Sequence, residues 1–292
     1  MTVPQHDPVP SDLPARPLRI AAAQAPVLPG DVGANAARAA ELVERAAAAG
    51  ARLVVFAEKF LTGYDPELIA TDPQRYTVTA DDPRLAPITA ACRAHGITAV
   101  LGAATRDAAG VLRISALVLG PDGTALARYD KQHQYGSEPS VFAAGTAGCT
   151  VELDGWRLGL GICYDSGFPE HARAAALDGC HAYLVGALFG TGGGRQQRAV
   201  WFPARALDNT MYVLLANHVG AAGDLTGCGG SSVWGPDGGL LADAGETGAG
   251  LAVADLDPSV LAAVRADLTM VTEIATRDAA VATGPRDRIT VA

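Results

Sequence analysis

Short apolar runs alternate with alanine-rich, helix-like stretches along most of the chain. Leu18–Gln24 is an apolar run that predicts a β-strand. Residues 35–49 are rich in alanine and are followed by Gly50, as expected for a helix with a glycine stop. Residues 52–57 predict a second strand, which ends at Glu58. This strand–helix–strand order is typical of a parallel βαβ unit.

The same alternation continues through the rest of the chain. We expect further helices over residues 83–95, 168–177, 196–209 and 258–266, and further strands over residues 97–104, 181–185, 211–217 and 250–256. Three hairpins are predicted by turn-forming sequences, namely Pro-Asp-Gly at 121–123, Asp-Gly at 154–155 and Pro-Asp-Gly at 236–238. Because a hairpin joins antiparallel strands, the sheets are predicted to be mixed.

These elements predict an α/β fold. Apolar strands need cover on both faces, and two mixed sheets packed face to face with helices outside each provide it, as a four-layer α-β-β-α sandwich. Residues 1–17 contain five prolines and no apolar core, which predicts a disordered leader. We expect a single domain over residues 18–272 and a C-terminal arm over residues 273–292.

Composition and charge argue against several classes of protein. The chain has 292 residues, of which 49% are hydrophobic, so it can bury a sizeable core. Its net charge is −9 and it has no basic cluster, so we expect neither a nucleic-acid partner nor an anionic membrane surface. No apolar run reaches the length of a membrane span. Five widely spaced cysteines favour a reducing compartment, and we expect a cytoplasmic protein.

Cys163 is the first candidate for chemistry. It ends a short apolar strand over residues 157–162, and a turn and a helix near Phe168 follow it. A thiol in this place is suited to nucleophilic attack, and free backbone N–H groups of the turn can bind the oxyanion that forms. The alternative is a buried cysteine that serves as a small apolar side chain, which is our interpretation of the cysteines at 92, 149, 180 and 228.

Glu58 and Lys131 also follow predicted strands. A carboxylate at the carboxyl end of a parallel strand lies where α/β proteins bind ligands, and burial there would raise its pKa toward that of a general base. Lys131 opens a polar loop with His133, Tyr135 and Glu138, which can hold its ammonium beside an oxyanion or a thiolate. On position alone, either residue also fits an ordinary solvated side chain at a strand exit.

Two other groups of residues give weaker signals. Residues 190–195 are rich in glycine but lack the Gly-Lys-Ser/Thr ending of a phosphate-binding loop, so we interpret them as a flexible loop near the site. His171, His181 and His218 have no metal-ligand spacing, so we interpret them as structural.

Five segments together resemble the nitrilase superfamily of carbon–nitrogen hydrolases. They are residues 56–64 (Phe-Ala-Glu-Lys-Phe-Leu-Thr-Gly-Tyr), 129–145 around Lys131, 161–170 around Cys163, 204–220 and 230–238. Each is moderately specific alone, and their order and coverage make the resemblance highly specific. It implies an α-β-β-α sandwich that is commonly dimeric or larger, so a homodimer or larger homo-oligomer is expected, without a metal or an organic cofactor.

The resemblance also implies a role for each candidate. Glu58 matches the general base, Lys131 the oxyanion-stabilising lysine and Cys163 the nucleophile. Glu138 matches an additional glutamate that many members place beside the lysine, and the backbone N–H of Tyr164 matches a second oxyanion donor. From their positions near these segments, we expect substrate contacts from Tyr64, His133, Tyr135, Phe189 and Trp201.

The residues after the cysteine indicate the branch. True nitrilases usually carry Cys-Trp-Glu, whereas residues 163–165 are Cys-Tyr-Asp and 168–170 are Phe-Pro-Glu, as in the amidase and carbamoylase branches. Carbamoyl-amino-acid hydrolases often place arginines where residues 165–167 are Asp-Ser-Gly. We therefore expect a hydrolase that cleaves a small amide to an acid and ammonia or an amine through a thioester. The alternatives are a carbamoyl hydrolase, a nitrile hydrolase, an acyl transferase and a binding protein without activity.

Overall fold

The structure is a computed structural model that describes residues 12–277 and 286–291. In chain order its strands are β1 (Leu18–Gln24), β2 (Leu53–Val55), β3 (Thr98–Arg106), β4 (Leu112–Leu119), β5 (Ala125–Asp130), β6 (Gly148–Leu153), β7 (Trp156–Ile162), β8 (Ala182–Ala187), β9 (Tyr212–Asn217), β10 (Val219–Ala222), β11 (Leu225–Cys228), β12 (Ser232–Trp234), β13 (Leu240–Asp243), β14 (Gly250–Leu256) and β15 (Arg286–Val291). The α-helices are α1 (Val32–Ala48), α2 (Pro66–Thr71), α3 (Pro73–Tyr76), α4 (Ala86–His95), α5 (Pro169–Leu177), α6 (Gly193–Asn209), α7 (Pro258–Asp267) and α8 (Met270–Arg277). Short 3₁₀ helices cover Pro83–Leu85, Glu138–Ser140 and Cys163–Gly167. Of the helices in these two ranges, none combines the length and apolarity that crossing a membrane requires.

Two large mixed sheets form the centre of the molecule. The first has the strand order β14-β1-β2-β3-β4-β5, in which β1, β2 and β3 are parallel and the other neighbours are antiparallel. The second has the order β13-β12-β9-β8-β7-β6-β15, with β7, β8 and β9 parallel. In this sheet β6 runs antiparallel to β7, and β12 runs antiparallel to β9. Each sheet therefore combines βαβ units with hairpins, as the sequence pattern predicts.

Helix α1 illustrates how the outer layers form. The Asp31 side chain accepts a hydrogen bond from the Ala34 N–H at 3.0 Å and caps the helix, which is why α1 begins before the predicted residue 35. Ala36, Ala39 and Val43 recur at helical spacing and are buried. They belong to an apolar cluster that α1 shares with α4 and with one face of the first sheet.

The inner faces of the two sheets pack against each other. One large apolar cluster joins Val55 and Val100 of the first sheet to Leu160 and Leu184 of the second, and it also contains Phe202 of α6. Helices α5 and α6 pack on the second sheet, as α1 and α4 do on the first. The four-layer α-β-β-α sandwich predicted from the sequence is confirmed.

Near both ends of the chain, the described residues make contacts that the sequence pattern does not predict. Residues 1–11 of the predicted leader and residues 278–285 and 292 of the predicted arm lie outside the described residues. Residues 12–17 contain no helix or strand, but the Arg16 carbonyl accepts a hydrogen bond from Trp156 Nε1 at 2.9 Å. Beyond residue 266, where the last helix was expected to end, the chain adds α8, and β15 extends the second sheet by pairing in parallel with β6.

Candidate active site

Glu58, Lys131 and Cys163 all lie at strand ends. Glu58 follows β2, Lys131 follows β5 directly and Cys163 follows β7 directly. Glu58 and Lys131 are buried, and Cys163 is 7% exposed. The carboxyl ends of β2 and β7 belong to different sheets, so the interface between the sheets brings the candidate residues together.

Two glycines allow the Glu58 turn to lie between the sheets. A Cβ atom at Gly102 of β3 would collide with the carbonyl oxygen of Ala57, and one at Gly186 of β8 would collide with the carbonyl oxygen of Phe56. Each sheet therefore presents a residue without a side chain to the same turn. This close approach of the backbones fixes the position of the Glu58 main chain, from which its carboxylate extends.

The carboxylate of Glu58 and that of Glu138 share one ammonium. Lys131 Nζ lies 2.7 Å from Glu58 Oε1 and 2.7 Å from Glu138 Oε2. Glu138 also accepts hydrogen bonds from the Tyr135 N–H at 2.9 Å and the Tyr64 hydroxyl at 3.0 Å. By contrast, Glu58 Oε2 is buried and has no hydrogen-bond partner in the described ranges. One oxygen of Glu58 is thus anchored, and the other is free to exchange a proton.

Burial sets the protonation behaviour of this group. It raises the pKa of Glu58, although the Lys131 charge opposes the rise. Burial also acts to raise the pKa of Glu138, but the charges of Lys59 and Lys131 outweigh this effect and lower that pKa to about 2. Burial disfavours the Lys131 ammonium, yet Glu58, Cys163 and Glu138 together raise the pKa of Lys131. Glu138 and Lys131 therefore favour their charged forms and pair with each other, and Glu58 is the carboxyl group suited to proton transfer.

The backbone at Cys163 is held in an unfavourable conformation. Its φ of 48° is left-handed, a region that side chains with a Cβ rarely adopt. Within the cysteine turn (Cys163–Gly167), the Ser166 hydroxyl donates to the Cys163 carbonyl at 2.7 Å. From α6, Arg205 donates to the carbonyls of Ser166 and Gly167 at 2.9 and 3.1 Å. The Tyr164 N–H lies in the first turn of this 3₁₀ helix, where N–H groups lack an acceptor within the helix.

The surroundings of the Cys163 thiol favour its protonated form. Burial and the Glu58 charge raise its pKa well above the usual range, against the attraction of Lys131. Its Sγ points to the Leu188 carbonyl at 3.7 Å. Lys131 favours the thiolate, as expected from the sequence, but burial and the Glu58 charge outweigh this single ammonium. Attack by this thiol requires a base that removes its proton.

Asp165, which the sequence analysis did not assign to the site, joins the cysteine turn to the lysine loop (residues 131–138). Its Oδ2 accepts from the Ile162 N–H at 3.0 Å and the Tyr129 hydroxyl at 2.7 Å. Its Oδ1 accepts from the His133 N–H at 2.8 Å and lies 3.0 Å from His133 Nδ1. The signal available in the sequence was an aspartate two residues after the cysteine and a histidine two residues after Lys131, but nothing local links them.

A cavity of about 300 Å³ is lined by Cys163 and by three of the expected substrate-contact residues, Tyr135, Phe189 and Trp201. Residues 190, 191, 193 and 194 complete one wall, although α6 already begins at Gly193, so the predicted loop is shorter than expected. Tyr64 lines an adjoining cavity of about 260 Å³ together with Glu138. The structure does not bring His133 to either cavity, because its ring stacks on Phe168 with 3.8 Å between centroids.

Lys59 is a second residue that the sequence analysis missed. Its side chain is fully buried, its Nζ lies 3.0 Å from Glu138 Oε1, and it sits over the Tyr64 ring at 3.7 Å from the centroid. Its backbone is left-handed, with a φ of 50°. The available signal was a lysine directly after Glu58 in an otherwise apolar stretch. The site therefore contains two carboxyl and two ammonium groups.

The remaining candidates for chemistry are metal-ligand groups and the other cysteines. In the part of the chain that the structure describes, no group of three or more His, Cys, Asp or Glu side chains could hold a metal ion. All five cysteines are free and buried. Burial raises the pKa of Cys92 and of Cys149 to about 12, which agrees with their interpretation as small apolar side chains.

The chain is similar to known proteins along most of its length. Residues 19–266 match the carbon-nitrogen hydrolase family model. A nitrilase of Pyrococcus abyssi is 34% identical over 232 residues, which cover 76% of this chain and 83% of the relative. The omega-amidase of Homo sapiens is 30% identical over 245 residues, which cover 79% of this chain and 86% of that protein.

Solved structures of an amidase from Nesterenkonia sp. are similar in fold. One superimposes with a TM-score of 0.75 at 32% identity, covering 86% of this chain and 95% of that chain. In variants of that amidase, acrylamide or the acetamide moiety of fluoroacetamide is attached to the active-site cysteine, and another variant is in complex with butyramide. The family match, the relatives and the shared fold place this chain in the nitrilase superfamily of carbon–nitrogen hydrolases, in its amidase-like branch.

Proposed function

We propose that the protein hydrolyses the C–N bond of a small amide to a carboxylic acid and ammonia, with Cys163 as nucleophile, Glu58 as general base and Lys131 as oxyanion stabiliser. The observation that carries this proposal is the state of Glu58, whose Oε1 is bound to Lys131 while its buried Oε2 has no partner in the described ranges. A general base needs a free oxygen to accept a proton. The Cys163 thiol, whose proton Glu58 must remove, interacts electrostatically with Glu58.

In the first half of the reaction, Cys163 Sγ forms a bond to the amide carbon while its proton passes to Glu58. The carbonyl π electrons move to oxygen, and Lys131 and the Tyr164 N–H stabilise the oxyanion. The C–N bond then breaks as Glu58 gives its proton to the nitrogen, so that ammonia leaves and a thioester remains.

In the second half, Glu58 removes a proton from water while the water oxygen bonds to the thioester carbon. The same donors stabilise the second oxyanion. When the C–S bond breaks, the carboxylic acid leaves and Glu58 returns the proton to sulfur. The sum is amide plus water giving acid plus ammonia, and each group of the enzyme regains its starting state.

The cavities support an uncharged acyl group. Among the residues that the structure describes, the lining of the cavity beside Cys163 includes no lysine or arginine. Asp65, Glu67, Asp224 and Glu138 line the adjoining cavity. A carboxylate on the acyl group would lie near these acids, while Lys59 and Lys131 are already paired with Glu138, which is unfavourable. Neutral aliphatic amides such as butyramide therefore suit the site better than amides of dicarboxylic acids.

Intact-mass spectrometry tests the proposal most directly. With fluoroacetamide, the wild-type protein is expected to gain one acetamide group, located on Cys163 by peptide mapping, and with butyramide it is expected to release ammonia. The Cys163→Ala variant should do neither. Cys228→Ala is the matched control, since Cys228 is another buried cysteine that lines a cavity, and it should behave like the wild type.

Two results would overturn the assignment. One is release of ammonia from butyramide by purified Cys163→Ala at the wild-type rate. The other is a wild-type protein that is folded but neither forms the adduct nor hydrolyses any member of a panel of neutral amides. Turnover of nitriles or carbamoyl compounds in place of amides would keep the nucleophile and replace the substrate class.

A further inference from the structure

Lys59 is a buried ammonium for which the proposed mechanism has no task. Its Nζ lies 3.0 Å from Glu138 Oε1, whereas Lys131 binds the other oxygen of the same carboxylate at 2.7 Å. Neither lysine side chain is exposed to solvent. A buried charge is costly unless it is paired, so a second lysine on a carboxylate that already has one requires an explanation.

The sum of the charges in this cluster explains the second lysine. With Glu138 and both lysines ionised, the four groups sum to zero when Glu58 is a carboxylate and to +1 when Glu58 is protonated. Without Lys59 the same two states would carry −1 and zero. Because an uncompensated charge is unfavourable in a buried site, Lys59 shifts the preference of Glu58 toward the carboxylate, the form that can accept the thiol proton.

We propose, on the basis of the function proposed above, that Lys59 is a positioning residue for amide hydrolysis: its ammonium holds Glu138 against Lys131, and its charge keeps Glu58 ionised at neutral pH. The Lys59 charge opposes the effect of burial on the pKa of Glu58, in the same direction as Lys131.

The other titratable groups around Glu58 carry no positive charge at neutral pH. His218 Nε2 is hydrogen-bonded to the Glu58 carbonyl, and burial lowers the pKa of His218 to about 4, so its ring is neutral. Burial raises the pKa of Tyr64 and that of Cys163, so both remain protonated and uncharged. Of the groups that act on Glu58, the two lysines therefore supply the positive charge.

The backbone fixes Lys59 in this place. Its left-handed conformation is locked because the Lys59 carbonyl accepts hydrogen bonds from the N–H groups of Thr62 and Gly63 at 3.2 and 2.8 Å. A Cβ at Gly102 would lie 2.7 Å from the Lys59 nitrogen, so β3 also requires glycine where it passes this residue. An unfavourable backbone conformation persists where the surrounding structure fixes it, as it does here.

The pH dependence of kcat/KM for butyramide tests the proposal. In the full-length Lys59→Met variant, which keeps the length of the side chain but not its charge, the acid limb of the profile is expected to move to higher pH by at least about one unit. Activity is then lost at neutral pH and partly recovered in alkaline buffer. Tyr64→Phe is the matched control, because it removes a 3.0 Å hydrogen bond to the same Glu138 oxygen without changing the charge, and its acid limb should stay in place.

Two further variants keep the test decisive. Lys59→Met combined with Glu138→Gln removes one charge of each sign, and its acid limb should return toward that of the wild type. If Lys59→Met does not fold, Lys59→Gln replaces it with the same expected shift. An unmoved acid limb in a folded Lys59 variant, or an equal shift in Tyr64→Phe, overturns the proposal. A wild type that does not hydrolyse amides refutes the proposed function instead, and the pH dependence of Cys163 alkylation by fluoroacetamide then tests Lys59 independently.

Discussion

Glu58 and Asp165 are both buried near Cys163, and their surroundings are opposite. Glu58 has one oxygen bound to Lys131 and one without a partner in the described ranges, and burial raises its pKa. Asp165 has two partners on each oxygen, and His171, His133 and Tyr129 outweigh its burial and lower its pKa.

The comparison separates a group that can react from a group that holds the structure. A carboxylate whose hydrogen-bonding capacity is fully used loses several contacts when it is protonated, so it stays ionised and rigid. A carboxylate with a free oxygen can gain and lose a proton at small cost to its neighbours. We therefore expect changes at Glu58 to affect mainly the rate, and changes in the Asp165 network to affect mainly the stability.

The largest effect is expected for Glu58→Gln. The amide oxygen can still accept from Lys131, but the free position can no longer take a proton, so kcat should fall by roughly 10²–10⁴-fold. Steady-state kinetics with butyramide measures the loss, and thermal unfolding checks that the fold remains. Glu170→Gln, at an exposed glutamate on α5, is the control that should keep the wild-type rate. A kcat close to that of the wild type in Glu58→Gln would remove Glu58 from the reaction.

In contrast to Glu58→Gln, Asp165→Asn is expected to lower mainly the stability of the fold. Whichever oxygen becomes an amide group faces two donors, which are buried at Oδ2 and part-buried at Oδ1, and leaving them without an acceptor costs up to about 2–6 kcal/mol of the free energy of unfolding. Urea unfolding at pH 7 measures this loss, with the exposed Glu170→Gln again as control.

The pH dependence provides a second measurement on Asp165. Because its pKa is lowered in the folded state, its contribution to stability is present above the unfolded pKa of about 3.9 and is lost as the pH falls through the folded pKa. The difference between wild type and Asp165→Asn should therefore narrow in acid. A difference that is small at pH 7, or that grows in acid, would contradict the structural role.

The same contrast explains what the sequence could predict. Glu58, Lys131 and Cys163 each follow a strand, and a strand can be predicted from a pattern only a few residues long. Lys59 is different, since its burial depends on a carboxylate 79 residues away in the chain. Likewise Asp165 meets His133 across 32 residues, and β15 pairs with a strand far earlier in the chain.

Adjacency in sequence can also mislead. His133 lies two residues after Lys131 and was expected to contact substrate, but the side chain turns to Phe168 and Asp165, away from both cavities. Phe168 and Asp165 set the orientation of the His133 side chain, and the sequence around His133 does not reveal these contacts.

The smallest effect is expected at the far end of the Asp165 network. The Tyr129 hydroxyl donates to Asp165 and must therefore accept from His171 Nε2, at 2.8 Å. This leaves His171 Nδ1 to accept from the Tyr183 hydroxyl, also at 2.8 Å. Burial lowers the pKa of His171, in keeping with this neutral ring.

Tyr183→Phe removes only the last donor of this chain of hydrogen bonds. The variant should lose about 1 kcal/mol of the free energy of unfolding, because a single buried acceptor is left without a partner. It should keep the wild-type kcat, since Glu58 and its free oxygen are untouched. Urea unfolding and butyramide hydrolysis measure the two quantities on one preparation. A fall in kcat without a loss of stability would show that the network takes part in the reaction, and the division between a reactive and a structural carboxylate would then fail.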